Sequence, residues 1–235
     1  KKDVCIIGLG ASGGIIAAEL AKAGMSVVGL EAGPYFKRQV FEEKSAHDEL
    51  SHIRLGRLRW SQPEVLSYNG ASPVTFPLIA RNIGVGGPLH WSCFSYRFHE
   101  SDFKVKAKLG DINGASVEDW PIEYRDLEPY YELAECVFGV AGKAGANPFE
   151  APRKNPYQMS PLATQLAGDL FQATAAELGY HPFSIPAAIT TESGYGGQQF
   201  RQSCNYCGKC TFYGCEQHSK GANLVATLPE ALETG

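Results

Sequence analysis

The stretch Val4-Cys5-Ile6-Ile7-Gly8-Leu9-Gly10-Ala11-Ser12-Gly13-Gly14 decides how the rest of the chain is read. Its four leading apolar residues suit a buried parallel strand, and they pass directly into a glycine-rich turn. Beyond the turn, Ile15, Ile16, Ala18, Leu20, Ala21 and Ala23 recur with helical spacing, Glu19 and Lys22 face outward, and Gly24 supplies a left-handed stop. Ser26-Val27-Val28-Gly29-Leu30 then reads as a second buried strand that delivers Glu31 at its carboxyl end. In this unit Gly8 permits the tight turn, Gly10 lets the backbone approach a pyrophosphate, and Gly13 lets helix and strand pack closely. Ser12 sits among them at the amino end of the helix, where free N–H groups and the positive end of the dipole face phosphate. Glu31 follows Gly13 by 18 residues, near the ~20 at which a carboxylate accepts hydrogen bonds from ribose hydroxyls. The unit is expected to bind a dinucleotide. A ribose-binding Glu serves FAD and NAD alike, so these residues leave that choice open.

The whole chain is compatible with such a fold. It has 235 residues, 44% hydrophobic and 20% charged, enough to bury a sizeable core and unlike disordered, collagenous or small disulfide-framed sequences. A formal net charge of −4 without a basic run argues against nucleic acid as a partner. Lys1-Lys2 followed by an apolar stretch imitates a signal peptide, but Asp3 and the glycines within it argue against that reading. No segment approaches the ~20 apolar residues of a spanning helix. Any membrane association is therefore expected to run through partners.

Four of the seven cysteines fall between positions 204 and 215, as Cys204, Cys207, Cys210 and Cys215. Their spacing, C-x2-C-x2-C-x4-C, is close to the bacterial ferredoxin run, with one more residue before the last cysteine and Glu216 where that run has Pro. Gly208 and Gly214 free backbone N–H groups that could bond sulfur and tune its potential. An iron-sulfur cluster is the leading reading. Zinc remains open, although four-cysteine zinc sites usually separate two C-x2-C knuckles by a longer loop. Disulfides also remain open, with at least one of the seven thiols left over. Cys5 and Cys136 are expected to be small apolar packing groups in a buried strand and a helix.

A second glycine-rich loop, Arg81-Asn82-Ile83-Gly84-Val85-Gly86-Gly87-Pro88-Leu89-His90-Trp91, can wrap the other side of a pyrophosphate with its N–H groups. It resembles the second flavin loop of the glucose/methanol/choline (GMC) oxidoreductases, and Glu31-Ala32-Gly33 resembles the flavoprotein form of the first motif. Tyr96-Arg97-Phe98, Asp119-Trp120-Pro121-Ile122 and Leu127-Glu128-Pro129-Tyr130-Tyr131 resemble, in the same order, the flavoprotein subunits of bacterial gluconate, fructose and glucose dehydrogenases. His90-Trp91 is similar to the pair that carries covalent flavin in pyranose oxidases, but stands one residue nearer Gly87. His90 is therefore read as a histidine packed behind the flavin.

The resemblance implies FAD held by Gly8, Gly10, Ser12, Gly13, Glu31, Ala32, Arg81, Gly84, Gly86, Gly87, His90 and Trp91. It also implies a 3Fe-4S cluster on the cysteine run, which Lys220-Gly221-Ala222-Asn223 follows as in those subunits. The implied activity is oxidation of CH–OH groups of sugars, sugar acids or polyols, with electrons leaving through the cluster to a cytochrome or quinone. The implied partners are a small subunit and a cytochrome c subunit, and the implied place is the periplasmic face of the inner membrane, with the cytoplasm as the alternative. The catalytic His of such enzymes is expected beyond residue 235, so the chain is read as an amino-terminal part, inactive by itself. Two other readings stand beside this one: a GMC-type oxidase without a cluster, and a non-catalytic dinucleotide-binding electron-transfer subunit.

The expected fold is α/β, a Rossmann-like FAD-binding parallel sheet with an inserted second portion, incomplete in this chain. Residues 1–110 form the nucleotide-binding portion, 111–222 a substrate-side portion with the cysteines, and 223–235 the return. Helices are expected at Asp126–Phe138 before Gly139, at Pro161–Leu178 after Ser160 and before Gly179, and at Val225–Thr234. Leu162, Leu166 and Leu170 are expected to be core. Tyr124, Tyr195 and Arg201 are read as structural or surface groups, and His99, His181 and His218 as packed or solvated.

Overall fold

The computed structural model describes residues 1–33, 35, 91–208, 210 and 214–234, and the backbone of 63–66 and 74–77. The chain divides into two compact units, 1–93 with 193–235, and 94–192. The cysteine run and the glycine turn fall in the same compact unit.

In the first unit, β1 (Val4–Ile7) and β2 (Val27–Leu30) pair in parallel, Val4 opposite Val27 and Ile7 opposite Leu30, with α1 (Ala11–Lys22) between them in sequence. This is the crossover expected from the glycine turn. Burial differs from expectation: Cys5 is exposed and Ile7 is 86% exposed. A strand is buried only by what lies beside and above it, and β1 and β2 are the only two strands of their sheet among the described residues. Asp3 and Ser26 lock the start of the pair, because the Asp3 carboxylate accepts both the Ser26 N–H (2.9 Å) and its hydroxyl (2.7 Å). Two further strands, β3 (Pro63–Leu66) and β4 (Val74–Pro77), form an antiparallel pair.

The other covering of α1 comes from the far end of the chain. Lys22 forms an ion pair with Glu230 at 3.0 Å, and Ala17, Ala18 and Ala21 are the buried face of the helix. Two short helices meet at Thr227: α5 (Asn223–Ala226) and α6 (Leu228–Thr234), the second carrying Glu230. The expected single helix over Val225–Thr234 is therefore broken. Thr227 donates its hydroxyl to Asn223 Oδ1 (3.1 Å) at the break.

The second unit is held by short bridges and an ion-pair network. For this numbering α2 is Val105–Leu109, α3 is Tyr124–Phe138 and α4 is Leu166–Glu177. Gly139 ends α3 at φ 72°, as its position predicts. Phe103, Tyr124 and Ala151 form a core cluster, and Phe98, Phe103 and Trp120 meet edge to face. Arg97 is buried and bidentate on Glu135, with both N···O distances 2.7 Å, and it reaches Tyr124 Oη (3.1 Å) and Glu128 (3.3 Å). Burial works against the Arg97 charge, but the Glu135 hydrogen bonds more than offset it and raise its pKa. Arg153 adds a second cation to Glu135 at 3.0 Å and lies 3.7 Å over the Tyr157 ring. The residues that carried the second half of the family resemblance therefore bind one another.

α4 begins five residues later than Pro161, at Leu166. Met159 bridges to Ala141, and the Ser160 carbonyl accepts the Thr191 hydroxyl (3.2 Å), which holds the chain extended where the cap was expected. Thr164 donates to Asp169 across the true start. Leu166 and Leu170 are not core: they are 75% and 61% exposed, because among the described residues nothing covers that face of α4. Cys136, expected as a packing group in α3, is exposed as well.

Candidate functional site

The glycine turn has the geometry expected for approach by an anion. Gly8 adopts φ 87°, in the left-handed region that favours glycine, and donates its N–H to the Leu30 carbonyl at 2.7 Å. A Cβ on Gly13 would overlap the Gly8 carbonyl oxygen, so this crossing of helix and strand tolerates no side chain there. Gly10 is the N-cap of α1, with no side-chain cap and no acid in the first turn, and Ser12 is exposed beside it. The amino end of α1 therefore keeps its donors and its positive potential for an outside ligand. Glu31 is drawn to the same turn. Its Oε2 accepts the Leu9 N–H (2.7 Å) and its Oε1 the Gly33 N–H (3.0 Å), while Ala32 between them is exposed.

Asn223 is a residue of this site that sequence reading missed. It is completely buried, and its amide donates to the carbonyls of Gly10 and Ala11, the latter at 3.1 Å. It thus clamps the turn from 213 positions away. No periodicity marks it; its local signs are a polar residue at the head of an otherwise apolar run and its place in the Lys220-Gly221-Ala222-Asn223 segment.

Of the second glycine loop, Arg81, Gly84, Gly86, Gly87 and His90 lie outside the described residues. Trp91 is described, and its indole N–H donates to the Gly221 carbonyl at 3.2 Å, tying the end of that loop to the segment after the cysteines.

The thiols form a looser group. Cys204, Cys210 and Cys215 are half-buried, Cys207 is exposed, and none is in a disulfide. The Tyr206 N–H donates to Cys204 Sγ at 3.4 Å. A fifth cysteine joins them: Cys93, wholly buried at φ 67°, hydrogen-bonds to Cys210. That hydrogen bond, with burial and the neighbouring cysteines, pushes the Cys93 thiol up. The same bond lowers Cys210 to about 6, helped by Lys220, whose ammonium also donates to the Cys210 carbonyl. The donor chemistry, thiols with backbone N–H support, is that of an iron-sulfur or zinc site. Among the described residues, however, no three His, Cys, Asp or Glu side chains converge as a metal-binding group. The Arg201 guanidinium lies 5.4 Å from the centroid of the Tyr195 ring.

No family model matches the chain. It is 30% identical over 262 residues to the gluconate 2-dehydrogenase flavoprotein of Pantoea cypripedii, covering 97% of this chain and 42% of that protein. It is 30% identical over 244 residues to the 6'''-hydroxyparomomycin C oxidase of Streptomyces lividus, covering 99% of this chain and 40% of that protein. It is 30% identical over 204 residues to the fructose dehydrogenase large subunit of Gluconobacter japonicus, covering 79% and 36%. The chain spans about two fifths of the length of these curated relatives. By name these relatives are oxidoreductases, two dehydrogenases and an oxidase. More narrowly, the chain belongs to the GMC oxidoreductase family.

Proposed function

We propose that this chain is the cofactor-holding part of a FAD-dependent dehydrogenase acting on CH–OH groups of sugars, sugar acids or polyols. The single observation that carries the reading is the glycine turn closed by Glu31, in a chain akin to a gluconate dehydrogenase flavoprotein. FAD, when bound, supplies the acceptor for a hydride from the substrate carbon. The residues of this chain hold it. Gly10 and the first turn of α1 receive the pyrophosphate, Glu31 takes the ribose, and the Arg81 to Trp91 loop closes on the other side. No residue among 1–235 is assigned as the catalytic base.

The finer part of the proposal is an iron-sulfur cluster on Cys204, Cys207, Cys210 and Cys215. Donor chemistry supports it, and ligation would require the thiols to turn toward one another. Such a cluster, when bound, supplies one-electron transfer toward a cytochrome or quinone acceptor. On this reading the partners are a small subunit and a cytochrome c subunit, at the periplasmic face of the inner membrane.

A second reading is an oxidase without a cluster. It is favoured by the lack of a converged donor group among the described residues and by the relative named an oxidase. One set of measurements on the full-length protein separates the two: its absorption spectrum, its iron and acid-labile sulfide, and its turnover of sugars with artificial acceptors or dioxygen. Flavin bands with iron and sulfide support the first reading. Flavin with zinc or no metal supports the second, and no flavin at all overturns both.

A further inference from the structure

We propose that Asn223 is a positioning residue for the cofactor's pyrophosphate, holding and polarising the two foremost N–H donors of α1, and that Thr227 keeps its amide turned toward them. This rests on the FAD reading above. The Asn223 amide donates to the carbonyls of Gly10 and Ala11. Each of those carbonyls shares a peptide group with the N–H of the next residue, Gly10 with Ala11 and Ala11 with Ser12. A hydrogen bond accepted by a peptide oxygen draws electron density from the N–H of the same group and makes it a stronger donor. Ala11 and Ser12 open α1, where N–H groups have no partner inside the helix and suit an anion. Asn223 therefore acts on the phosphate-binding donors from behind the turn. The Gly10 carbonyl also accepts the Gly14 N–H at 3.0 Å, so it is held by two donors.

The other end of the amide is held as well. The hydroxyl of Thr227, itself a buried residue, donates to Asn223 Oδ1 at 3.1 Å, and with that oxygen engaged the NH2 end is left facing the two carbonyls. Two positions before Asn223, the Gly221 carbonyl accepts the Trp91 indole N–H at 3.2 Å. The segment Gly221-Ala222-Asn223 thus meets both the first glycine turn and the end of the second glycine loop.

The test uses the full-length protein, freed of flavin and titrated with FAD, with binding followed by flavin fluorescence at a temperature below the melting point of every variant. Asn223→Ala is expected to raise the Kd for FAD by about 10-fold, the scale of one hydrogen bond lost. Thr227→Val, which keeps the shape and removes the hydroxyl, is expected to raise it by about 3-fold. Thr227→Ser, which keeps the hydroxyl, is expected to bind FAD as the wild type does. If these contacts serve stability alone, the flavin-free variants melt earlier while their Kd for FAD stays that of the wild type, and that result overturns the inference while leaving the FAD reading intact. Should Asn223→Ala fail to fold, the Thr227 pair decides: a raised Kd in the valine variant with a wild-type Kd in the serine variant supports the inference, and equal values in the two overturn it. A wild-type protein that takes up no FAD sinks the FAD reading, and this inference with it.

Discussion

Asn223 occupies the space that a side chain on Gly14 would need: a Cβ built on Gly14 overlaps the Asn223 amide. The same amide donates to the carbonyls of Gly10 and Ala11, so one buried side chain both fills the gap behind the turn and fixes the start of α1. Gly14→Ala is expected to lower stability by ~1–3 kcal/mol, the usual cost of overpacking a tight site. Asn223→Ala is expected to cost a similar ~1–3 kcal/mol, through the carbonyls deprived of that donor. Because the two groups touch, the double variant should lose less than the sum of the single losses. Thermal unfolding of the four proteins checks this, and strict additivity would refute the coupling.

Glu31 faces two demands, since its carboxylate already accepts the N–H groups of Leu9 and Gly33. If it also receives the cofactor ribose, Glu31→Ala weakens flavin retention by about 10-fold to 100-fold, corresponding to ~1.5–3 kcal/mol for a hydrogen bond to a charged group. Glu31→Gln keeps an acceptor and is expected to fall between. The flavin-to-protein ratio after gel filtration, with and without added FAD, measures the effect. Equal retention in all three proteins would remove Glu31 from the cofactor site.

Glu135 is the anion shared by two buried guanidinium groups, with Arg97 and Arg153 side chains only 1% and 8% exposed. Glu135→Ala removes the bidentate partner of Arg97 and one partner of Arg153, leaving them Glu128 and Glu150, and a loss of about 3 kcal/mol, the low end of the range for a broken buried pair, is expected. Glu135→Gln retains the acceptor oxygen and should lose less. Denaturant unfolding followed by tryptophan fluorescence reads the difference, and an Ala variant within 1 kcal/mol of wild type would mean that the network adds little.

Asp3 links pH to the β1–β2 pairing. The Ser26 N–H and hydroxyl hold its carboxyl below the ordinary 3.8. A carboxylate whose folded pKa is depressed contributes stability above its unfolded value, and that contribution disappears as pH falls through the folded value. Its share of acid destabilisation therefore lies below pH 3.8. Asp3→Asn should lower the melting temperature near neutrality, flatten its fall in that acid window, and leave the two proteins converging at low pH. A variant whose acid profile matches wild type would show that this carboxylate adds no pH dependence.

The glycine turn was legible because its demands are local. A left-handed Gly8, a Gly13 without room for a side chain and an acid closing the second strand all arise within about thirty residues. The same holds for the end of α3, where Gly139 alone dictates the stop. The start of α4 was not legible. Ser160 and Pro161 are a sound local start signal, overruled by the Met159 bridge to Ala141 and the Thr191 bond to Ser160, which come from elsewhere in the unit.

Sequence alone determined the identities that repeat or punctuate: the βαβ unit, the helix stops, the thiol run and the family that these resemble. Tertiary structure alone decided which groups meet and which stay covered. It set Asn223 against Gly10, Trp91 against Gly221 and Cys93 against Cys210, and it left Ile7, Leu166 and Leu170 exposed. The physical reason is that backbone preference is fixed within a few residues. Burial and side-chain pairing depend on whatever the rest of the chain brings alongside, and no short stretch of sequence encodes that.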